Sequence, residues 1–371
     1  MRGGPKLPIV DLCADRVTLP VEGITDNVPE QTSPIVPVWQ RWNDYGIGCL
    51  LEGFSDEKKV GFVQAEATFR AMLQEYPDKK EVAGHAYLNL ARVQEAQGQL
   101  NEAVQSLENA REAGAPWWTV AYFNGRVNLD NSTDRRSVET AIANFRSILD
   151  PDKQPRERGF DFTKDYRVIN ELGRALFERA SFERGQSAAR DGFLLEAIEQ
   201  YERALKLDSE NEKAHYGLHQ CFQMLGTPMS RLTLAEETPR TEEASLFALT
   251  TTLLGDKTDK TERRTAAVRL ARAVAALGAE PVSSKQPKRP RFELLLARIE
   301  PFFHNEKDAE LKEAAAYVLD WLHLELFQIF KPDELAQSTA IQAYRAKHPA
   351  ANHAAEAIVI YPLHRAGAPG Y

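Results

Sequence analysis

Residues 194–218, LLEAIEQYERALKLDSENEKAHYGL, place small and large apolar residues at helical spacing. Ala197, Tyr201 and Ala204 follow one another at intervals of four and three residues, which puts them on one face of an α-helix. Asp208 and Ser209 interrupt this pattern, and a second helical pattern follows them. The stretch therefore predicts two helices joined by a short turn.

The same pair of helices recurs along the chain. The copies cover, in order, residues 42–72 with an insertion at 54–60, residues 86–116 without insertion, residues 117–151, and residues 168–208 with an insertion at 181–192. A further first helix lies between His215 and Gly226. We therefore predict four helix pairs and one unpaired helix between about residues 39 and 226, because self-similarity at this spacing is typical of repeat architectures.

Small residues in these helices allow two helices to approach closely, and large residues fill the space between them. The small positions are Gly46, Ala91, Ala103, Gly173 and Ala197. The large positions are Phe69, Tyr87, Leu90, Phe145 and Tyr201. Each pair buries only part of its apolar surface, so neighbouring pairs must stack. The predicted fold class is all-α, an α-solenoid of antiparallel helix pairs.

The flanking regions follow different patterns. Residues 1–38 contain six prolines, which disfavour helix and predict an extended arm. Residues 227–347 predict a helical C-terminal extension with a degenerate last repeat, and residues 348–371 a capping helix and an extended tail. Within the extension, helices are expected at about 241–255, 261–278, 291–303 and 308–330.

The charge balance argues against nucleic acid as a partner. A formal net charge of −8 disfavours binding to phosphates, which requires many cations. The one basic cluster, residues 283–292, is interrupted by prolines and is expected to be an exposed linker. No apolar run approaches the roughly 20 residues that span a bilayer, so we expect a soluble protein.

Motifs for catalysis are missing from the sequence. It contains neither GxxxxGK[ST] nor a GxGxxG after a strand, and no GxSxG. The three cysteines have no metal-binding spacing, and the absence of CxxCH excludes covalent attachment of a c-type haem. We therefore expect no catalytic residue, no cofactor and no metal.

Several histidines could be metal ligands instead of structural residues. His215 and His219 lie four residues apart on one helix, a spacing that can bind a metal, but both occupy predicted packing positions. His348, His353 and His364 could ligate a metal or haem iron, although their surroundings also fit a repeat turn and a helix start.

The helix-pair pattern resembles the tetratricopeptide repeat, a helix–turn–helix unit of about 34 residues. The resemblance implies a concave surface, lined by the first helices, that binds a partner protein or an extended peptide. The positions that this resemblance assigns to the groove are Asn43, Arg92, Trp118, Tyr122, Asn170, Arg174, Tyr216 and Gln220. Arg92 and Arg174 occupy the same place in their repeats; they could form charge-assisted hydrogen bonds to a carboxylate of the partner, or they could belong to a solvated helix face.

Three stretches, including PVWQRWNDYGIGCLLEG and RGFDFTKDYRVINELG, are also similar to tetratricopeptide portions of exported bacterial proteins that carry multihaem c-type cytochrome domains. This second resemblance implies an alternative function, a docking module of a cytochrome electron-transfer complex with the haem carried elsewhere. It would place the protein in the periplasm or outside the cell; otherwise a cytoplasmic location is expected.

Overall fold

The computed structural model describes residues 38–331, with gaps at 56–58, 132–133, 155–160, 184, 186, 227–228, 230–238, 240 and 281–287. Within these residues there are thirteen α-helices and no strand. The helices are α1 Val38–Ser55, α2 Val60–Glu75, α3 Lys80–Ala96, α4 Leu100–Glu112, α5 Trp117–Asp130, α6 Arg135–Leu149, α7 Tyr166–Ser181, α8 Ala188–Leu207, α9 Glu212–Gly226, α10 Glu243–Leu254, α11 Lys260–Ala279, α12 Lys288–Asn305 and α13 Ala309–Phe330. The predicted all-α class is confirmed, and none of the described helices is long and apolar enough to cross a membrane.

Consecutive helices pack in pairs, as predicted. Helix α1 packs on α2, α3 on α4, and α7 on α8, while α2 on α3 and α6 on α7 join neighbouring pairs. Short turns between consecutive helices make each pair antiparallel. The positive φ angles of Gly98 (75°) and Gly114 (84°) close α3 and α4, a backbone conformation that glycine adopts without strain.

Several of the helices begin at a short polar residue whose side chain caps them. Asp134 accepts a hydrogen bond from the backbone nitrogen of Ser137, and Ser187 accepts one from that of Arg190. Such caps satisfy backbone donors that have no partner within the helix. The cap at Ser187 explains one difference from the sequence analysis, since residues 188–192 of the predicted insertion are the first turn of α8.

Two of the predicted small positions, Gly46 and Gly173, lie where neighbouring helices approach closely. A Cβ atom added to Gly46 would come within 2.7 Å of the Phe69 ring, and one added to Gly173 within 2.8 Å of the Tyr201 ring. Gly217 in α9 presses on the same Tyr201 ring, which is therefore held between two glycines. Ala103 and Ala197 have no exposed surface, so the predicted register of the repeats is confirmed.

The described residues belong to two compact units. Among the described residues, the first unit covers those up to 127 and the second those from 128 onward. The division falls inside α5. Helices on both sides of residue 226, where the sequence suggested a domain boundary, pack together in the second unit, and that boundary stays a prediction.

The unpaired helix α9 is covered by α13, more than eighty residues further along the chain. His215 contacts His323, Tyr216 contacts Phe327, and Gly226 lies against the backbone of Tyr317. The residues near the start of α9 contact residues near the end of α13, and the last residue of α9 contacts a residue in the first half of α13. The two helices are therefore antiparallel. Helix α13 also packs on α11 and α12. It therefore serves as an antiparallel partner of α9.

The prediction of an exposed linker at residues 283–292 is wrong for residues 288–292. Helix α12 begins at Lys288, and Phe292 is completely buried. Pro290 lies in the first turn of this helix, where backbone N–H groups have no acceptor within the helix. The absence of an N–H group in proline therefore costs no hydrogen bond there. The apolar face formed by Phe292, Leu295 and Ile299 then anchors the helix to the core.

Several predictions fall outside the described residues. They are the extended arm up to residue 37, the degenerate last repeat after Lys331, and the capping helix and tail at 348–371. Val38, the last residue of the predicted arm, is the first residue of α1.

Candidate partner-binding surfaces

In the first unit, a chain of side-chain amides orients Arg92. Asn89 of α3 donates a hydrogen bond of 2.8 Å to Oδ1 of Asn43 in α1. Arg92 donates one of 2.8 Å from Nη1 to Oδ1 of Asn89. Because Asn89 is buried, it fixes the guanidinium of Arg92 relative to both helices. We call the surface around Asn43, Arg92, Trp118 and Tyr122 the α3 surface.

Aromatic rings support the cations of the α3 surface. The guanidinium carbon of Arg92 lies 5.4 Å from the centre of the Phe123 ring, and that of Arg126 lies 5.9 Å from the same ring. Arg126 pairs with Glu95 at 3.1 Å, whereas no carboxylate of a described residue pairs with Arg92. Burial lowers the pKa of Arg92, an effect that the charge of Glu95 opposes. Arg92 is thus a preoriented donor whose charge is not balanced by a direct ion pair.

The two remaining predicted residues of this surface lie on α5 and are half-buried. Trp118 packs edge-on against Trp117, with ring centres 6.0 Å apart. Tyr122 packs edge-on against Phe123 at 5.4 Å and lies 6.0 Å from the guanidinium of Arg126. The α3 surface therefore combines guanidinium groups with a cluster of aromatic rings.

In the second unit, all the predicted groove residues line one surface cavity of about 380 Å³. These residues are Asn170, Arg174, Tyr216 and Gln220. Further lining residues that the sequence analysis did not select include Glu178, Tyr201, Glu212, Lys213 and Phe327. We call this the α7 cavity, because α7 supplies most of its charged side chains.

Arg174 differs from Arg92 because it already has carboxylate partners. Its Nη2 lies 2.8 Å from Asp130, and its Nη1 lies 3.5 Å from Glu171. Burial favours a lower pKa for Arg174, but the hydrogen bond with Asp130 and the nearby carboxylates outweigh it, and the pKa is raised. Asp130 and Glu171 therefore compete with a carboxylate of the partner for the guanidinium of Arg174.

Asn170 is buried and holds α7 against α9. It donates a hydrogen bond of 2.9 Å from Nδ2 to Asn211, whose side chain also caps α9 through the backbone nitrogen of Ala214. Its own Oδ1 has no donor among the described residues. A buried acceptor without a donor is costly, so this atom favours a hydrogen-bond donor entering the cavity.

The α7 cavity also contains carboxylates beside an aromatic pair. Tyr216 and Phe327 have ring centres 5.0 Å apart, and Tyr216 is 43% exposed. Glu178 and Glu212 line the same cavity, and neither forms an ion pair with a described residue. Glu178 follows Arg174 by one helical turn, a spacing from which the sequence could have indicated it. Phe327 could not be found in this way because it belongs to α13.

The histidines of α9 face α13. Nδ1 of His215 and Nδ1 of His323 are 3.0 Å apart, and Nε2 of His215 lies 3.2 Å from the carbonyl oxygen of Ser209. A carbonyl oxygen only accepts, so Nε2 of His215 carries the proton and its Nδ1 accepts from His323. Burial lowers the pKa of His215 to about 3, and the neighbouring His323 adds to this effect.

His219 has a different partner, since its Nδ1 lies 2.5 Å from Oδ1 of Asp320. The two histidines of α9 thus contact separate residues of α13, and the described residues contain no group of three possible metal ligands. The other candidate ligands, His348, His353 and His364, lie outside the described residues.

Comparison with known proteins gives one match. Residues 192–226, which cover most of α8 and all of α9, match the family model described as a TPR repeat, the tetratricopeptide repeat. No curated protein and no solved structure matches the chain. The match does not bear on the similarity to cytochrome-associated proteins, which stays a prediction.

Proposed function

We propose that this tetratricopeptide-repeat protein is a non-catalytic scaffold that binds a segment of a partner protein through the first helices of its pairs. Tetratricopeptide repeats generally mediate contacts between proteins, and helical repeats offer extended surfaces for them. The observation that carries the proposal is the α7 cavity, in which four residues assigned to the groove by their repeat positions lie together.

The chemistry of the α7 cavity suits a peptide rather than a small anion. The unpartnered Oδ1 of Asn170 can accept a hydrogen bond from a peptide nitrogen or from a side-chain donor. Tyr216 and Phe327 offer an aromatic wall, and Glu178 and Glu212 offer negative charge. A lysine or arginine of the partner would gain both an ion pair and a contact with the aromatic rings.

The α3 surface favours side chains of the opposite charge, since its own charged groups are guanidinium groups. Arg92 is held in place by Asn89 and lies over the Phe123 ring, without a carboxylate of its own. A glutamate or aspartate of the partner could form a charge-assisted hydrogen bond there. We therefore propose a partner whose bound region contains both acidic and basic side chains.

Quantitative capture of partners from the native lysate tests the proposal. The immobilised full chain is compared with the double variant Arg92→Ala with Tyr216→Ala, which removes one anchor from each surface. A fold-preserving control is Arg136→Ala with Lys206→Ala, two exposed side chains outside both surfaces. We expect the proteins captured by the wild type and the control to be lost from the double variant. If the double variant captures the same proteins in the same amounts, the proposed surfaces are wrong.

A further inference from the structure

An open apolar groove lies between α10 and α12, away from the residues assigned to the partner-binding surfaces. It has a volume of about 390 Å³. Its apolar lining includes Leu246 and Phe247 of α10 and Leu294 and Leu295 of α12. Phe247 is 49% exposed and Leu294 is 46% exposed, so two large apolar side chains face solvent across this groove. A contiguous apolar surface of this kind marks an interaction site more often than scattered apolar residues do.

Two arginines border the groove on α12. Arg291 and Arg298 both line it, and neither forms an ion pair or hydrogen bond with any described residue. The guanidinium carbon of Arg298 lies 4.3 Å from the centre of the Phe247 ring, so a cation–π contact holds this arginine at the edge of the apolar surface. Glu243 also lines the groove, so its lining carries two guanidinium groups and one carboxylate, and this excess of positive charge favours an acidic ligand.

We propose that the α10–α12 groove binds an amphipathic helix of a partner protein whose apolar stripe is bordered by glutamate or aspartate. This binding site is separate from the α3 surface and the α7 cavity, and it does not depend on the function proposed for them. Helices commonly bind in such grooves by inserting side chains spaced three, four and seven residues apart.

The spacing of the arginines sets the register of the ligand. Arg291 and Arg298 are seven residues apart, which is about 10.5 Å along a helix at roughly 1.5 Å per residue. A ligand helix lying along α12 would meet both arginines with carboxylates that are themselves seven residues apart. Its apolar residues between them would then contact Leu294 and Phe247.

Fluorescence anisotropy with two labelled helical peptides tests this inference on the full chain. Both peptides carry the same leucine stripe; glutamates border it in one peptide and lysines in the other. We expect the glutamate peptide to bind about tenfold more tightly, since two favourable ion pairs are replaced by two repulsions. Arg291→Glu with Arg298→Glu should reverse this preference, and Phe247→Ser should weaken binding of both peptides.

The charge-matched control is Arg136→Glu with Lys206→Glu, which changes the net charge equally outside the groove and should keep the wild-type preference. If the control loses the preference as fully as the arginine variant, the effect is one of net charge and the site is wrong. Equal affinity of the wild type for the two peptides, or binding of neither, would also overturn the proposal. Sedimentation analysis tests whether a second copy of the chain occupies the groove instead. If the wild type is a dimer and Phe247→Ser dissociates it, the occupant is another copy and not an acidic helix of a partner.

Discussion

The pair α3 and α4 and the pair α9 and α13 bury similar apolar faces in different ways. Three residues separate α3 from α4, and their interface is apolar apart from the hydrogen bond between Ser106 and Gln94. The residues between α9 and α13 include three other helices, and their interface contains His215 and His323 at 3.0 Å. A helix pair can thus be completed by a distant helix, but here the distant pairing buries a histidine, His215, whose pKa is lowered by that burial.

The largest expected difference between the two pairs is in their response to acid. The pKa of His215 is about 3 in the folded protein and about 6.5 in an unfolded chain, so the unfolded state binds more protons between these values. Stability is therefore full above about pH 6.5 and falls as the pH decreases toward 3. From pH 7 to pH 5 we expect a loss of about 2 kcal/mol in the free energy of unfolding of the second unit. Urea unfolding followed by circular dichroism at each pH measures this loss.

His215→Phe serves as the control for the acid response. It keeps an aromatic ring near Phe330, which packs on His215 with ring centres 5.3 Å apart, and it removes the titrating group. The variant should be less stable at neutral pH, because His323 loses its acceptor, but should depend less on pH. An unchanged pH dependence would assign the titration to another group.

The next largest effect concerns the close approach of helices at Tyr201. Gly217→Ala would place a methyl group in the Tyr201 ring, which Gly173 already confines from α7. Overpacking of this kind costs about 1–3 kcal/mol, partly offset by the higher helix propensity of alanine. Thermal unfolding should show a lower Tm.

Gly48→Ala is the matched control in the first unit, since nothing lies within 4 Å of a Cβ atom at that position. There the same substitution should stabilise the protein by roughly 0.5–1 kcal/mol, because only the propensity gain remains. If Gly217→Ala raises the Tm as Gly48→Ala does, the glycine at 217 is not a packing requirement.

The smallest expected effect is on the affinity for a partner, and it differs between Arg92 and Arg174, the two arginines that share a repeat position. Arg92→Ala should weaken binding of an acidic partner about tenfold, as expected for loss of one charge-assisted hydrogen bond. Arg174→Ala should weaken it less, because Asp130 and Glu171 already compete for that guanidinium. Titration calorimetry with a captured partner measures both affinities. A larger loss for Arg174→Ala would show that its internal ion pairs open on binding.

Local patterns allowed most of the fold to be predicted. The repeat copy predicted at 117–151 contains α5 and α6, and α5 starts and ends where Pro116 and a polar stretch border it. The four helical runs predicted after residue 240 also agree within a few residues. Helical periodicity and the residues that start and stop a helix are local properties, so one sequence is enough to recognise them.

Contacts between distant residues could not be predicted in this way. Nothing in the periodicity of α13 identifies α9 as its partner, and so Phe327 was not assigned to the α7 cavity. The ion pair of Arg174 with Asp130 was missed for the same reason, since it joins α7 to the end of α5. The repeat register assigns a residue to a surface, but the partners of that residue depend on the packing of the whole unit.

The covering of α9 by α13 has a consequence for synthesis of the chain. A nascent polypeptide that has emerged only as far as α12 contains α9 but not α13, whose His323 stacks on Phe222 with ring centres 5.5 Å apart. The apolar face of α9 then stays accessible until Phe330 has left the ribosome, and long-range contacts of this kind are made late. Ribosome-bound chains that end before residue 309 should therefore be the ones that recruit chaperones at α9.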